Sequence, residues 1–337
     1  MQRQHLHTFA CEKAFLREMF KRAPHIKTPM KGDDSMNKRL IRTAALAVSA
    51  LALVCSAAFA EGHVWENGRA GVEMKAGEFK LLLSPELFKG SRADGYRAAW
   101  RRVAEIASGL GWKTEIDDDL TGRLEENVRV YTYPDTSDGA LHAKFFTLRQ
   151  RIPVKADGTL NAEKADLTLK YSAKDGGAVP FEAFMKDMPK GTKAKAEVNV
   201  YGYVDKKAGK NVEHNTMQVT FKKQPVLTGA ETIAWFALKY PILGTLGIPA
   251  DTFVAMPASK NIVSYAIEIG ELKRGDTKLE VEACVWCNKD TGAFVCGEVS
   301  WRAELKDAEA SYELFNAIQH KAPEILDAGM SKNACIK

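Results

Sequence analysis

Apolar and polar residues alternate from Val72 to Leu83, the spacing of a half-buried strand, and Ser84-Pro85 ends it. From Arg92 to Leu110 the period lengthens. Tyr96, Trp100, Val103, Ile106, Ala107 and Leu110 fall on one helical face, and Gly111 supplies a stop. Strand patterns then accumulate at Asn127–Tyr133, Ala143–Pro153, Ala165–Ser172, Ala194–Val204 and Thr216–Phe221. Gly229 to Tyr240 reads as a short helix, and Pro241, Gly244, Gly247 and Pro249 break the stretch beyond it. Asn261–Leu272, Lys278–Cys287 and Ala293–Leu305 are three further strands. The last two form a hairpin about Lys289-Asp290-Thr291-Gly292, and Ala308 to Leu326 closes the chain as a helix. At least eight strands with few helices and no βαβ alternation predict an α+β protein: an antiparallel β-barrel with a few flanking helices.

The front of the chain has a different character. Lys38, Arg39 and Arg42 precede an apolar run from Ala44 to Val54, and Ala58-Phe59-Ala60 places small residues where signal peptidase reads them. Eleven residues at about 1.5 Å each fall short of a bilayer core of about 30 Å, so a cleaved secretory signal over 36–60 fits better than an anchor. Val54 before Cys55 does not suit a lipobox. Residues 1–35 fit nothing, and Met36 is a natural start. Lys31-Gly32-Asp33 can be encoded by AAAGGAGAY, a ribosome-binding sequence, so 1–35 reads as an upstream extension outside the translated protein. The expectation is an exported body, 61–337, in the periplasm or secreted, without stable membrane insertion. Ile233 to Phe253 is rich in apolar residues. However, Lys239 and Pro241 suit a core helix and buried loop better than lipid.

Charge and cysteines change with that boundary. Residues 1–60 carry ten Lys/Arg and four Asp/Glu; removing that surplus of six from the formal +5 leaves −1. A near-neutral body argues against nucleic acid as the partner. Export makes Cys284, Cys287, Cys296 and Cys335 candidates for two disulfides, with zinc or a redox pair as alternatives for Cys284-x-x-Cys287. A hairpin register opposing Asn288 to Ala293 puts Cys287 and Cys296 on one face, which leaves Cys284 for Cys335.

The remaining chemistry lies inside the strands. The chain has no G-x-x-x-x-G-K-[ST], H-E-x-x-H or G-x-S-x-G. Glu78 and Lys80 share a face, as do Arg149 and Arg151, Glu280 and Glu282, and Glu298, Ser300, Arg302 and Glu304. Such faces are either the wet outside of half-buried strands or the lining of a closed barrel that cradles a charged ligand.

The order of these motifs resembles the CYTH, or triphosphate tunnel metalloenzyme, superfamily. Ala76-Gly-Glu78-Phe-Lys80 matches its opening E-x-E-x-K strand, and Tyr133-Pro-Asp135-Thr136 its Y-x-D-T element. Leu148-Arg149-Gln-Arg151 matches L-R-x-R, and Leu167-Thr-Leu-Lys170 matches L-T-L-K. Late acidic strands and a terminal helix complete the order. The resemblance implies an antiparallel tunnel binding a triphosphate, polyphosphate or other phosphorylated anion. Lys80, Arg149, Arg151, Lys170 and Arg302 would grip phosphate. Glu78, Glu280, Glu282 and Glu304 would hold Mg²⁺ or Mn²⁺, with Glu78 also in a catalytic role. Three positions depart. Ala76 replaces the first Glu of the opening motif, Arg302 replaces a Glu of the late strand, and Tyr265 lies near where the family has an Arg. Metal-dependent phosphoanhydride hydrolysis would then be weak. The alternative is a non-catalytic envelope protein that kept the barrel and lost the site.

Overall fold

The structure, a computed structural model, describes residues 74–116, 126–174, 178–202, 211–256 and 261–327. The proposed upstream extension, the signal segment and Cys335 lie outside them. Twelve strands are described: β1 Ala76–Leu83, β2 Lys113–Ile116, β3 Asn127–Thr132, β4 Asp135–Thr136, β5 Phe146–Pro153 and β6 Asp166–Lys174. They continue with β7 Ala194–Tyr201, β8 Val212–Lys222, β9 Val254–Ala255, β10 Ile262–Arg274, β11 Thr277–Asn288 and β12 Phe294–Glu304. The helices are α1 Arg92–Gly109, α2 Ala140–Ala143, α3 Phe181–Met185, α4 Ile233–Ala237 and α5 Ala308–Lys321.

Nine strands close on themselves in the order β11-β12-β1-β7-β8-β6-β5-β3-β10, and β10 pairs back to β11. The expected barrel is present, but it is mixed. Every pair is antiparallel except β1 and β7, which run parallel with Gly77 opposite Val198. Parallel pairing needs a crossover, and the chain between β1 and β7 supplies one by building β3, β5 and β6 on the far side first. Strand β2 is a tenth strand outside the ring. It pairs with β10 beyond a bulge at Glu268/Gly270. A Cβ at Gly270 would stand 2.3 Å from Trp100 and 2.6 Å from the Glu115 carbonyl, so only glycine lets α1 and β2 close on β10 here.

The barrel is apolar on its outer face and, on the β1 side, polar within. On β1, Phe79 stacks on Trp301 at 5.6 Å and meets Tyr312 and Phe315 of α5 edge-on at 5.0 and 5.4 Å. Phe79, Leu81 and Leu83 are fully buried. Each such side chain contributes about 1.5–3 kcal/mol through burial. Since β1's odd residues face the helices, its even residues, Glu78 and Lys80, face the lumen. Helix α1 begins at Ser91, whose hydroxyl accepts from the Asp94 N–H, and buries Tyr96, Ala99, Trp100, Val103, Ile106 and Ala107. On the opposite side, Phe146, Leu148, Leu167, Leu169, Met217 and Val219 are buried with Phe184, Phe236, Tyr240 and Leu243. Tyr240 donates to the Leu167 carbonyl at 2.6 Å. The apolar stretch after Ile233 is therefore core cover. Its α-helix is shorter than expected, because Pro241 opens a 3₁₀ turn over Pro241–Thr245. Among the described residues no helix is long and apolar enough to cross a membrane.

The cysteine expectation needs correction. Asn288 does bond to Ala293, its N–H donating to that carbonyl at 2.8 Å. A register shift between Trp286 and Cys287 then sets Trp286 opposite Cys296 and Cys287 opposite Phe294. Cys287 and Cys296 consequently lie on opposite faces, and the Cys287–Cys296 disulfide does not form. Cys287 is a buried free thiol on the helix side, and burial pushes its pKa up. Cys296 lies in the lumen with Cys284, and a bond from Cys284 to Cys335 falls outside the described residues.

Candidate functional site

Two neighbourhoods share the lumen. Near one end Tyr131, Ile262, Cys284, Trp286 and Cys296 form a separate apolar cluster, with Trp286 4.7 Å from the Tyr131 ring centroid. On the β1, β5, β6, β7 and β8 side the lumen is charged.

The charged side is built from strand alternation. Lys80 Nζ lies 2.7 Å from Glu78 Oε2 and donates at 2.7 Å to Asn199 Oδ1 of β7. The Asn199 side-chain amide donates to Thr216 Oγ1 of β8 at 2.7 Å, and Thr216 donates to the Glu197 carbonyl at 3.1 Å. Lys195 pairs with Glu197 at 2.6 Å. Across the barrel, Lys170 of β6 and Arg149 of β5 join this group. β1 and β6 are separated by two strands in the ring, yet Lys170 acts directly on Glu78, and Lys80 acts directly on Lys170. That coupling runs through the lumen, not along the sheet.

Burial works to raise the Glu78 pKa, but Lys80, Lys170 and Lys195 outweigh it and carry the carboxyl down to about 2. Lys170 is taken down to about 7, first by burial and then by Lys80 and Arg149; Glu197 and Glu78 oppose the fall. Arg149 lies 5.9 Å over the Tyr131 ring, and its Nε is buried without a hydrogen-bond partner. A buried guanidinium donor left in this state costs about 1–3 kcal/mol until an acceptor arrives.

Arg151 faces the lumen two residues further along β5. Its Nη2 and Nε donate to Asp166 Oδ2 at 2.6 and 3.0 Å, and Lys222 adds a third contact at 3.0 Å. Burial works to raise Asp166, and these cations hold it below the usual carboxylate range.

The residues singled out in the sequence thus separate. Glu78, Lys80, Arg149 and Lys170 come together. Arg151 lines the adjoining mouth. Arg302 pairs in register with Glu78 across β1 and β12 but is exposed. Glu280, Glu282 and Glu304 are exposed too, with Lys278 3.4 Å from Glu280 and Lys306 3.3 Å from Glu304. Among the described residues no three His, Cys, Asp or Glu side chains gather as metal ligands. Glu78, the one of these four that joins the charged cluster, is half-buried and already has three lysines acting on it, so the arrangement does not fit Mg²⁺ or Mn²⁺. Asp135 of the Y-x-D-T element is structural. Its carboxylate accepts from the Thr136, Leu141 and His142 N–H groups and fixes α2.

Glu197, Asn199, Lys195 and Asp166 were not singled out in the sequence. Glu197 and Asn199 are 2% and 0% exposed. Their alternation in Ala194–Val204 is the signal that points to them, since a polar residue every second place matches the lumen face of the neighbouring β1.

No protein-family model matches the chain, and no curated protein matches it. Among solved structures it is similar to HpAC1 from Hippeastrum, an adenylyl cyclase candidate whose report names a dominant triphosphatase activity. The two share 16% identity over 78% of this chain and 95% of that one, at a TM-score of 0.41. An adenylate cyclase candidate from Bacillus halodurans is 14% identical over 77% and 97%, with a TM-score of 0.35. The PH1819 protein from Pyrococcus horikoshii OT3 is 12% identical over 76% and 94%, with a TM-score of 0.29.

Proposed function

We propose that the charged half of the lumen binds a multiply charged phosphorylated anion, of the triphosphate or polyphosphate class, in an exported protein of the periplasm or cell exterior. The observation that carries this reading is the convergence of Lys80, Lys170 and Arg149 from three strands, with the Arg149 Nε buried and unpartnered. Burial, and after it repulsion from Lys80 and Arg149, carries the Lys170 pKa down to about 7. An anion with several oxygens relieves that repulsion and supplies the missing acceptor. Export rests on the n-region, apolar run and Ala58-Phe59-Ala60 of the sequence.

Metal-dependent hydrolysis is the weaker extension, because the four glutamates are dispersed. A second reading, a barrel whose lumen is closed by its own ion pairs, draws on Lys80, which already holds Glu78 and Asn199. Thermal unfolding with tripolyphosphate separates the two. At one hundred times Kd a ligand of the folded state adds about 2.7 kcal/mol, a rise of several degrees. No rise at millimolar tripolyphosphate leaves the self-neutralised barrel. Binding that persists in excess chelator supports anion recognition by the side chains alone; binding seen only with added Mg²⁺ would overturn that part.

A further inference from the structure

A cavity of about 470 Å³ lies outside the lumen, where the start of α1 meets the β11–β12 hairpin. That is room for a small organic ligand. Phe88 and Phe294 form one wall, with ring centroids 5.4 Å apart and planes at 27°. Val285 and Cys287 of β11 also line it, and Cys287 is a free thiol, 9% exposed. Arg92 and Glu126 supply the charge. We infer that this cavity binds a small organic acid with one carboxylate and a flat apolar body. The carboxylate would meet Arg92 and the first turn of α1, and the body would pack on Phe88, Phe294 and Cys287. This does not rest on the polyanion reading, because Val285 and Cys287 face the helices, on the side of the sheet away from the lumen cations.

Arg92 is held in place from two sides. Its Nε and Nη2 donate to the two oxygens of Glu126 at 2.8 and 2.7 Å, and its guanidinium lies 3.7 Å over the Tyr265 ring. Those bonds use one edge of the fork. The other edge, Nη1 and the second hydrogen of Nη2, matches a second carboxylate end-on. The N–H groups of Arg92 and Ala93 add donors of their own, since the first turn of a helix has no intrahelical acceptor for them, and the dipole of the long helix α1 favours an anion there. Asp94, the other acid of this turn, accepts from Ser91 Oγ at 2.7 Å and does not line the cavity. Glu126 limits the charge of the ligand. One guanidinium against one carboxylate suits a single added charge, whereas a phosphate chain would be repelled. Cys287 limits the body. Burial pushes its pKa up, so the thiol stays neutral and presents a soft, polarizable surface to a ring.

Calorimetry on the full chain tests this, with 2-naphthoate as the acid and 2-naphthamide as its neutral isostere. The wild type is expected to bind the acid with a Kd at or below about 1 mM, in keeping with so small a ligand. It should prefer the acid to the amide by about tenfold or more. Arg92→Gln should abolish that preference. Because Arg92→Gln also leaves Glu126 without its partner and can unsettle the fold, Glu126→Gln is the second variant. It removes the like charge and keeps an acceptor for Arg92, so it should tighten the acid by about threefold or more and leave the amide unchanged. Failure of the wild type to bind the acid, or equal affinity for acid and amide, overturns the inference. So does a Glu126→Gln variant that binds the acid no more tightly than the wild type. Displacement of 2-naphthoate by tripolyphosphate would move the acid into the lumen and overturn the site. Binding that persists in saturating tripolyphosphate keeps the two sites apart, whatever the fate of the polyanion reading.

Discussion

Tyr131, Ile262, Cys284, Trp286 and Cys296 fill one part of the lumen with rings, alkyl groups and sulfur, while Glu78, Lys80, Arg149, Lys170 and Glu197 fill the other with charge. Both are enclosed by the same nine strands. In the apolar part each buried ring adds stability through burial and ring contact, as where Trp286 packs on Tyr131. The charged part is expensive: its ions are desolvated, the Glu78 carboxyl and the Lys170 ammonium are both held well below their ordinary pKa values, and one guanidinium nitrogen lacks an acceptor. A well-packed apolar lumen would serve stability at least as well. The contrast teaches where to look for function. One part of the barrel contributes to holding the fold together, and the other gives up some of that stability, which under the proposed function a bound anion would restore.

Truncation of the apolar part should have the largest effect. Trp286 is 4% exposed and packs on Tyr131 at 4.7 Å. Trp286→Ala is expected to lower unfolding stability by about 3–5 kcal/mol, the range for buried aromatic truncation. Denaturant melting reads it, and a loss under about 1 kcal/mol would mean that the two parts of the lumen are not divided in this way.

The mirror experiment is on the charged part. Arg149→Ala should leave unfolding stability within about 1 kcal/mol, because it also removes an unsatisfied buried donor. It should weaken tripolyphosphate binding by about 1.5–3 kcal/mol, the scale of a charge-assisted hydrogen bond. Arg302→Ala provides the control, since Arg302 is exposed at the rim and should change affinity far less. Equal losses from the two variants would remove Arg149 from its special place.

The barrel was legible because its period-two pattern is repeated in long strands. Phe79, Leu81 and Leu83 alternate with Glu78 and Lys80, and nothing local contradicts the strand. The cations Lys80, Arg149 and Lys170 were legible for the same reason: charge on one face of a strand whose other face is apolar. Connectivity was harder. The parallel β1–β7 pair depends on which strands close the ring, a long-range choice that no window of sequence contains. The cysteine pairing went wrong through a single shift between Trp286 and Cys287, which exchanged the faces of the sheet. Gln150 illustrates the limit from the other side. It lies between two lumen-facing arginines, so alternation turns it to the outer, apolar face, where the sequence names no partner for its amide. There it donates to the Pro225 carbonyl at 2.7 Å and accepts from the Leu227 N–H at 2.9 Å. The acidic strands β11 and β12 carry Glu280, Glu282 and Glu304 to exposed positions, so among the described residues the metal set that the resemblance implies does not gather.

Glu78 tests whether the charged part is a metal site or a balance of lysines and counter-ions. If Glu78 serves as counter-ion to Lys80, Lys170 and Lys195, Glu78→Gln leaves those cations unbalanced. The apo protein should lose about 1–3 kcal/mol at neutral pH, and added tripolyphosphate should restore more stability than it does in the wild type. The sign with pH is fixed by the depressed carboxyl. Its contribution is present above the unfolded value of about 4.3 and is lost as pH falls toward about 2, so the difference between wild type and variant should vanish in acid. A variant that loses tripolyphosphate binding altogether would instead place Glu78 in direct service of the ligand.

The smallest effect is a proton. Lys170 titrates near pH 7 in the folded protein and near 10.4 when unfolded, so between those values the unfolded chain binds more protons, and stability from this group rises with pH. An anion seated against Lys170 reverses the local preference, because the charged ammonium now has a partner. Binding at pH 7.5 should therefore take up a proton, at most one per site. Calorimetry of tripolyphosphate in two buffers of different ionisation enthalpy reads that number. The phosphate chain titrates on its own account, so the quantity of interest is the difference from Lys170→Met, in which the lysine's share is absent. Affinity should also fall as pH rises from 7 to 9, by up to about tenfold per unit, and the variant should lose this slope. Identical proton uptake in wild type and Lys170→Met would show that the ligand never meets Lys170, and the charged part of the lumen would then be a network closed upon itself.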